Sequence, residues 1–301
     1  SIFIVMQLRE LLSRTLAGVP DESLIDRMNV HYPSEVTNAI TQQDGALLKS
    51  VYNKAKSLPT SQTCAALIRV GVTISRICAG VEATVLFGMQ KNSPVALKKV
   101  ASPEEHERLT ALAAAVLTHS SIVSFELLLD TVPRLPFMCM PQYVGTLIDV
   151  SPLDECRQLR LWECMHGALS YLHEKKFAHM DVKPENIALA DNVYVLIDLS
   201  STASFNRITE VTESFVPTDL RPIPFRGELP ASALMDWWQL AVTFCWKLHT
   251  TCCGQDLSTV GVREVLKNNI TGSEEKCFVY DELFAQIDSA TATSSSSSST
   301  A

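Results

Sequence analysis

The stretch "FAHMDVKPENIAL", residues 177 to 189, sets an acid, an ammonium and an amide within six positions: Asp181, Lys183 and Asn186, just after His179. A carboxylate, a compact cation and a hard amide oxygen are groups with which a protein can move a phosphoryl group. An Asp-x-Lys pair met alone in a loop is usually a solvated turn. The chemistry therefore depends on what the rest of the chain places beside it.

The totals narrow the classes. The 301 residues carry 33 Asp plus Glu against 25 Lys plus Arg, a net charge of −8. An acidic balance argues against nucleic acid or an anionic membrane as the main partner, since both reward basic patches. The 9 cysteines include no C-x-x-C and are odd in number, which reads as buried thiols of a reduced, intracellular and cytoplasmic protein rather than a disulfide framework. The 7 histidines form no ligand cluster, so no structural metal is expected. No run of eighteen apolar residues occurs, and no membrane span is expected. The first residue is Ser, which suits a piece of a longer product. Nothing in the sequence sets an oligomeric state.

Three short helices are expected before residue 60: in "MQLRELLSRTL", in "VPDESLIDRM" with Asp21 as its cap, and in "DGALLKSVYNKAKSLP". They read as a helical extension over residues 1–65 that packs on the main domain. The character then changes. "ALIRVGVTISRICAG" and "EATVLFGMQKNSPVALKKV" alternate β-branched and polar residues, with "KNSP" as the turn between strands. "SPEEHERLTALAAAVLTH" follows as a helix with Ser102 at the N-cap, Pro103 at N1 and Glu105 closing a capping box. "SSIVSFELLLD" and "LPFMCMPQYV" return to the strand pattern. "LRLWECMHGALSYLHEKK" is an amphipathic helix, "NVYVLIDLSS" a short strand, and "ALMDWWQLAVTFCWKLH" a helix apolar nearly all round, hence buried. The end, "TATSSSSSSTA", is too serine-rich to bury apolar area, and residues 286–301 are expected to be a disordered tail.

Strands, one helix, strands, then helices is the order that gives the opening stretch its context. "HMDVKPEN" (179–186) resembles the catalytic loop H-R-D-x-K-x-x-N of the eukaryotic protein kinases. "VALK" (95–98) stands before it, "IDLS" (197–200) after it and "DWW" (236–238) beyond, in the family's order. The resemblance covers about residues 72–250 and extends to about 285. It implies an α+β, two-lobed kinase-like domain over 66–285, with a β-rich N-lobe at about 66–140 and a helical C-lobe at about 144–285. It also implies Mg²⁺ and ATP as cofactors and a protein Ser or Thr hydroxyl as the acceptor. Asp181 would accept the hydroxyl's hydrogen bond and its proton, and Lys183 would reach the γ-phosphoryl. Lysine at that place is the letter of the Ser/Thr type. Asn186 and Asp198 would hold the metal, since Mg²⁺ prefers oxygen ligands. Lys98 would meet the α and β phosphates. Val85 and Ala96 would cover the adenine, Ala188 (or Leu189) would floor it, Met140 would line its back, and the Tyr143 backbone N–H would donate to it. Asp236 would anchor the catalytic loop's backbone.

The chain departs from the family pattern at several places. The phosphate loop reads "CAGVEATV", with Cys78, Gly80 and Ala83 at the three glycine places and Glu82 adding a negative charge. Only Gly80 keeps glycine's freedom, so weaker ATP binding is expected. The family's spacing from His119 lands on Thr110 where Lys98's acidic partner should be, and Glu107, one turn earlier, is the best substitute. Met180 replaces the loop arginine, which predicts activity independent of a phosphorylated activation segment. Leu199-Ser200 replace Phe-Gly, with Leu199 expected in the phenylalanine's packing site. Residues 201–215 form a short activation segment, and "FVPTDL" resembles the Ala-Pro-Glu stretch with Asp219 in the glutamate's place. These departures keep a second reading open, a pseudokinase that binds ATP or acts as a scaffold.

Overall fold

The computed structural model describes residues 2–15, 22–57, 61–79, 84–115, 118–129, 136–150, 153–248, 257–268 and 274–297. The fold class is α+β, as expected, and the chain divides into two units. One comprises residues 1–100 and 126–142, the other residues 101–125 and 143–301.

The first unit opens with α1 (Ile2–Thr15), α2 (Glu22–His31), α3 (Pro33–Gln42) and α4 (Gly45–Ser57). Leu8 and Leu12, one turn apart on α1, are fully buried with Ile25, Met28, Leu48 and Val51 in a core of their own. The expected three helices become four. Pro33 at the first turn starts α3, whose Val36 and Ala39 supply the buried pair. Its polar majority hid it from a periodicity argument. Gln43, at φ 51, closes α3, and the Asp44 carboxylate accepts the Leu47 N–H at 2.9 Å to start α4. Asp21, the expected cap of α2, lies outside the described residues.

The strand expected from Ala66 begins later. Residues 61–69 are α5 (Ser61–Arg69), and Gly71 at φ +82 turns the chain into β1 (Val72–Ala79). Leu67 on α5 is buried under the sheet, and this packing overrides the β-branched pattern after it. The sheet runs β1-β2-β3-β5-β4, antiparallel throughout, with β2 (Thr84–Gln90), β3 (Ser93–Lys99), β4 (Glu126–Leu128) and β5 (Phe137–Pro141). The predicted turn is a two-residue hairpin with Lys91 and Asn92 both left-handed, the twist that favours adjacent strands. Gly88 is obligatory, because a Cβ there would stand 2.0 Å from the Thr73 carbonyl oxygen. Leu86, Leu97 and Cys139 form a register row on the buried face.

The second unit begins with α6 (Pro103–Ala114), capped as predicted by Ser102, whose hydroxyl accepts the Glu105 N–H. The Glu105 carboxylate accepts the Ala101 N–H at 2.6 Å, one residue earlier than in the usual box. Helices α7 (Glu155–Glu174), α8 (Ala233–Leu248), α9 (Thr259–Asn268) and α10 (Glu274–Ser297) make its bulk. Helix α8 is the hub and packs against α7, α9 and α10. Its Leu240, Ala241 and Phe244 have no exposed surface. Three small β units complete it: β6 (Gly145–Thr146) with β8 (Ile187–Ala190) and β9 (Val193–Leu196), β7 (Phe177–Ala178) with β10 (Ala203–Ser204), and β11 (Ile208–Glu210) with β12 (Glu228–Pro230).

The serine-rich end differs from expectation, since α10 continues through Ser297. Val279, Tyr280, Leu283, Phe284 and Ile287 bury one stripe of it. A helix nucleated by such packing adds further residues at small cost, serine included.

Candidate functional site

The catalytic-loop stretch hangs from α8 by polar atoms. Asp236, fully buried, accepts the His179 N–H (2.8 Å) and the His173 Nε2 hydrogen (2.8 Å) on one oxygen and the Met180 N–H (2.7 Å) on the other. This bears out its reading as the loop's anchor. Three residues on, the Gln239 amide donates to the Met180 carbonyl (2.8 Å) and accepts the Val182 N–H (3.0 Å). One turn further the Thr243 hydroxyl donates to the Val182 carbonyl at 3.2 Å. Met180 is left-handed, φ +66, with its side chain fully buried. A non-glycine residue in that region costs about 1–2 kcal/mol, so surrounding bonds must hold it there.

Around Asp181 the predicted residues come together. Asn186 donates to its Oδ2 at 2.6 Å and to its main-chain carbonyl at 2.9 Å. Lys183 Nζ lies 2.9 Å from the same Oδ2, and the two side chains are only 14% and 13% exposed. Thr212 closes the set: its hydroxyl donates to Asp181 Oδ1 at 2.6 Å and accepts from Lys183 Nζ at 2.8 Å. Each group thus constrains the others. Charge-assisted bonds of this length are the strong kind, and they hold the carboxylate in one orientation at the edge of solvent.

Asp198 follows β9 in the left-handed region (φ +55), and its Oδ1 accepts the Ser200 N–H at 3.4 Å. The Ile197 N–H donates to the Asn186 carbonyl at 2.8 Å, so the β8–β9 ladder sets Asn186 beside the segment that carries Asp198. Asn186 spends its amide nitrogen on Asp181, which leaves its amide oxygen for a hard cation. One carboxylate plus one amide oxygen fits a Mg²⁺ ion that is otherwise held by water and phosphate oxygens. It does not make an all-protein cage, and among the described residues no group of three His, Cys, Asp or Glu could hold a metal. Leu199 is fully buried, as a replacement for a packing phenylalanine must be.

Helix α6 bonds to this segment twice. Arg108 donates to the Ser200 carbonyl from Nε (3.2 Å) and from its terminal nitrogen (2.8 Å). Glu107 pairs with Arg207 at 3.0 Å with its own side chain 70% exposed.

In the first unit, the register rows Val85–Lys98–Met138 and Phe87–Ala96–Met140 lie on the sheet face opposite the Leu86–Leu97–Cys139 core. Strand alternation thus brings four of the predicted nucleotide residues, Val85, Ala96, Lys98 and Met140, to one face. Gly80, with Glu82 and Ala83, lies outside the described residues. Tyr143 is half-buried just beyond β5, where burial pushes its phenol pKa up. Ala188 is fully buried on β8, whereas Leu189 is half-buried.

Sequence reasoning does not reach Thr212, Arg108, Gln239 or Thr243. For the last two a signal exists: with Asp236 they are polar residues at i, i+3 and i+7 in a mostly apolar helix, which marks one stripe. A lone threonine 31 residues after Asp181 carries none.

Residues 72–283 match the protein kinase domain. The chain is 25% identical over 173 residues to serine/threonine-protein kinase SBK2 of Homo sapiens, covering 52% of this chain and 50% of that one. It is 32% identical over 101 residues to Aurora kinase C of Mus musculus, 32% of this chain and 34% of the relative. It is 36% identical over 86 residues to MAP kinase kinase MKK1/SSP32 of Saccharomyces cerevisiae, 28% of this chain and 16% of the relative. The chain thus spans half or less of the length of these relatives.

Proposed function

This chain belongs to the protein kinase family, and on that premise we propose that it transfers the γ-phosphoryl group of ATP, with Mg²⁺, to a Ser or Thr hydroxyl of a protein. The observation that carries the reading is the set Asp181–Lys183–Thr212–Asn186, in which Lys183, Thr212 and Asn186 all meet the Asp181 carboxylate. Phosphoryl transfer asks a protein mainly for positioned charge. Asp181 orients the acceptor hydroxyl and takes its proton. Lys183 offsets charge on the moving group, and Thr212 keeps both side chains in register. Mg²⁺, when bound through Asn186 and Asp198, neutralises phosphate charge. Lys98 is assigned to the α and β phosphates by family position, as are Val85, Ala96, Met140, Tyr143 and Ala188 to the adenine.

The second reading, a pseudokinase that binds ATP or acts as a scaffold, draws on the phosphate loop, where Cys78 and Ala83 stand at two of the three glycine places. Radiolabelled γ-phosphate transfer to a generic protein substrate separates the two. Asp181→Asn should lower turnover by about 10²–10⁴-fold. No transfer by the wild type, with ATP still raising Tm, would leave the pseudokinase.

A further inference from the structure

The bonds from α8 to the catalytic loop divide by what they hold. Asp236 takes the N–H groups of His179 and Met180, both of which precede the peptide that leads into Asp181. Gln239 takes the Met180 carbonyl and the Val182 N–H. The first belongs to the peptide plane before the Asp181 Cα, and the second to the plane after it. One side-chain amide therefore grips both planes that flank the acid, and these two planes define its φ and ψ.

The chemistry of the grip allows one orientation. A carbonyl needs a donor and an N–H needs an acceptor, so the amide's nitrogen and oxygen are assigned by their partners. Gln239 has no exposed surface, so no water replaces it. Asparagine would be one methylene short of the loop, and an apolar side chain would leave two buried backbone groups without partners. The residue it holds first, Met180, sits in the left-handed region that a non-glycine residue leaves readily.

We propose that Gln239 is a positioning residue for Asp181: by clamping the peptides on both sides, it carries the rigid position of α8 into the placement of the carboxylate. The inference rests on the phosphotransferase reading above. Gln239 does not touch the reacting atoms, so its effect falls on kcat through Asp181 and leaves nucleotide affinity alone.

The test is a double-mutant cycle on the full chain with Gln239→Ala and Asp181→Asn, read as kcat and as KM for ATP. A misplacement of the acid by about 1 Å costs roughly 10²-fold. Gln239→Ala is therefore expected to lower kcat about 10–100-fold with KM for ATP unchanged. In the Asp181→Asn background the same substitution should cost almost nothing, because the group it positions is already gone. Equal losses in both backgrounds, or a rise in KM with kcat intact, would overturn the proposal and leave Gln239 a structural amide.

Gln239→Glu gives a second readout should the alanine variant fail to fold. Protonated, its acid donates to Met180 and accepts from Val182 as the amide does; ionised, it loses the donor. Its kcat relative to wild type should therefore rise as pH falls, and a ratio that stays flat with pH counts against the clamp. A wild-type chain that transfers nothing sinks the phosphotransferase reading and this inference together. Transfer that is abolished by Asp181→Asn yet indifferent to Gln239 sinks this inference alone.

Discussion

At the scale of single residues, the site is a set of mutual constraints. Asp181 is held by Asn186, Lys183 and Thr212 at 2.6–2.9 Å. Thr212 is the member that no motif announces, and it bridges acid and base with one oxygen. Thr212→Val should lower kcat about 10-fold or more by releasing both side chains, at the scale of a lost charge-assisted bond of about 1.5–3 kcal/mol. Thr212→Ser should retain most of the activity. Equal activity of the two variants would show that the hydroxyl is a bystander. For Asp198, the metal reading predicts that Asp198→Asn weakens ATP binding in the presence of Mg²⁺ and changes little without it, measured by calorimetric titration. An identical loss in both conditions would remove Asp198 from the metal.

At the scale of elements, α6 and α8 hold the loops of the second unit from two sides. Helix α8 does so through Asp236, on which three donors converge. Asp236→Ala leaves two buried backbone N–H groups and His173 without their acceptor. It should cost about 3–5 kcal/mol, the penalty for breaking a buried charged network, visible as a lower urea midpoint. A loss under 1 kcal/mol would mean the loop keeps its shape without the anchor. Helix α6 does so through Arg108 and Glu107, which reach Ser200 and Arg207. Arg108 is thus a cation of the chain already bonded to the segment after Asp198, and Met180 stands where the family's loop arginine would be. Arg108→Ala should raise amide hydrogen exchange around residues 199–204 and lower kcat, while phosphatase treatment of the wild type should change neither. Activity that disappears with phosphatase would refute phosphorylation-independent ordering.

At the scale of the molecule, two histidines make stability depend on pH. Burial lowers the pKa of His119 below its ordinary 6.5. Burial likewise lowers that of His166, which packs against Trp162 and Trp237, with Glu282 opposing. A base whose folded pKa is depressed takes protons first in the unfolded chain. The associated stability is complete above pH 6.5 and is lost as pH falls through the depressed values. Tm should therefore fall between pH 7.5 and the depressed range. His119 Nδ1 accepts the Ser121 N–H at 3.1 Å, so protonation also removes a bond. His119→Asn, which can still accept there, should show a shallower fall; the same slope as wild type would clear His119. At the acid end, burial raises the Asp219 carboxyl, but hydrogen bonds from the Thr259 hydroxyl and N–H outweigh it and hold its pKa below 3.8. This contribution is present above that value and is lost as pH falls through the depressed one.

Much of this protein was legible in its sequence, because local chemistry dictated it. Ser102 and Pro103 start α6 wherever it packs, alternation puts Lys98 and Ala96 on one strand face, and "HMDVKPEN" holds its acid, base and amide at fixed spacing. Those outcomes depend on neighbours within a few residues. The rest was decided by contacts across long separations. Leu67 is buried against the sheet, which makes a helix of a stretch with strand character. Apolar burial on α10 carries serines into a helix. Glu107 meets Arg207, 100 residues away. Thr212 reaches Asp181 across 31 residues, and Gln239 grips both sides of that acid across 57 and 59. A sequence supplies residue types and local periods; which donor meets which acceptor at long range is set only when the chain has packed and every buried polar group has found a partner.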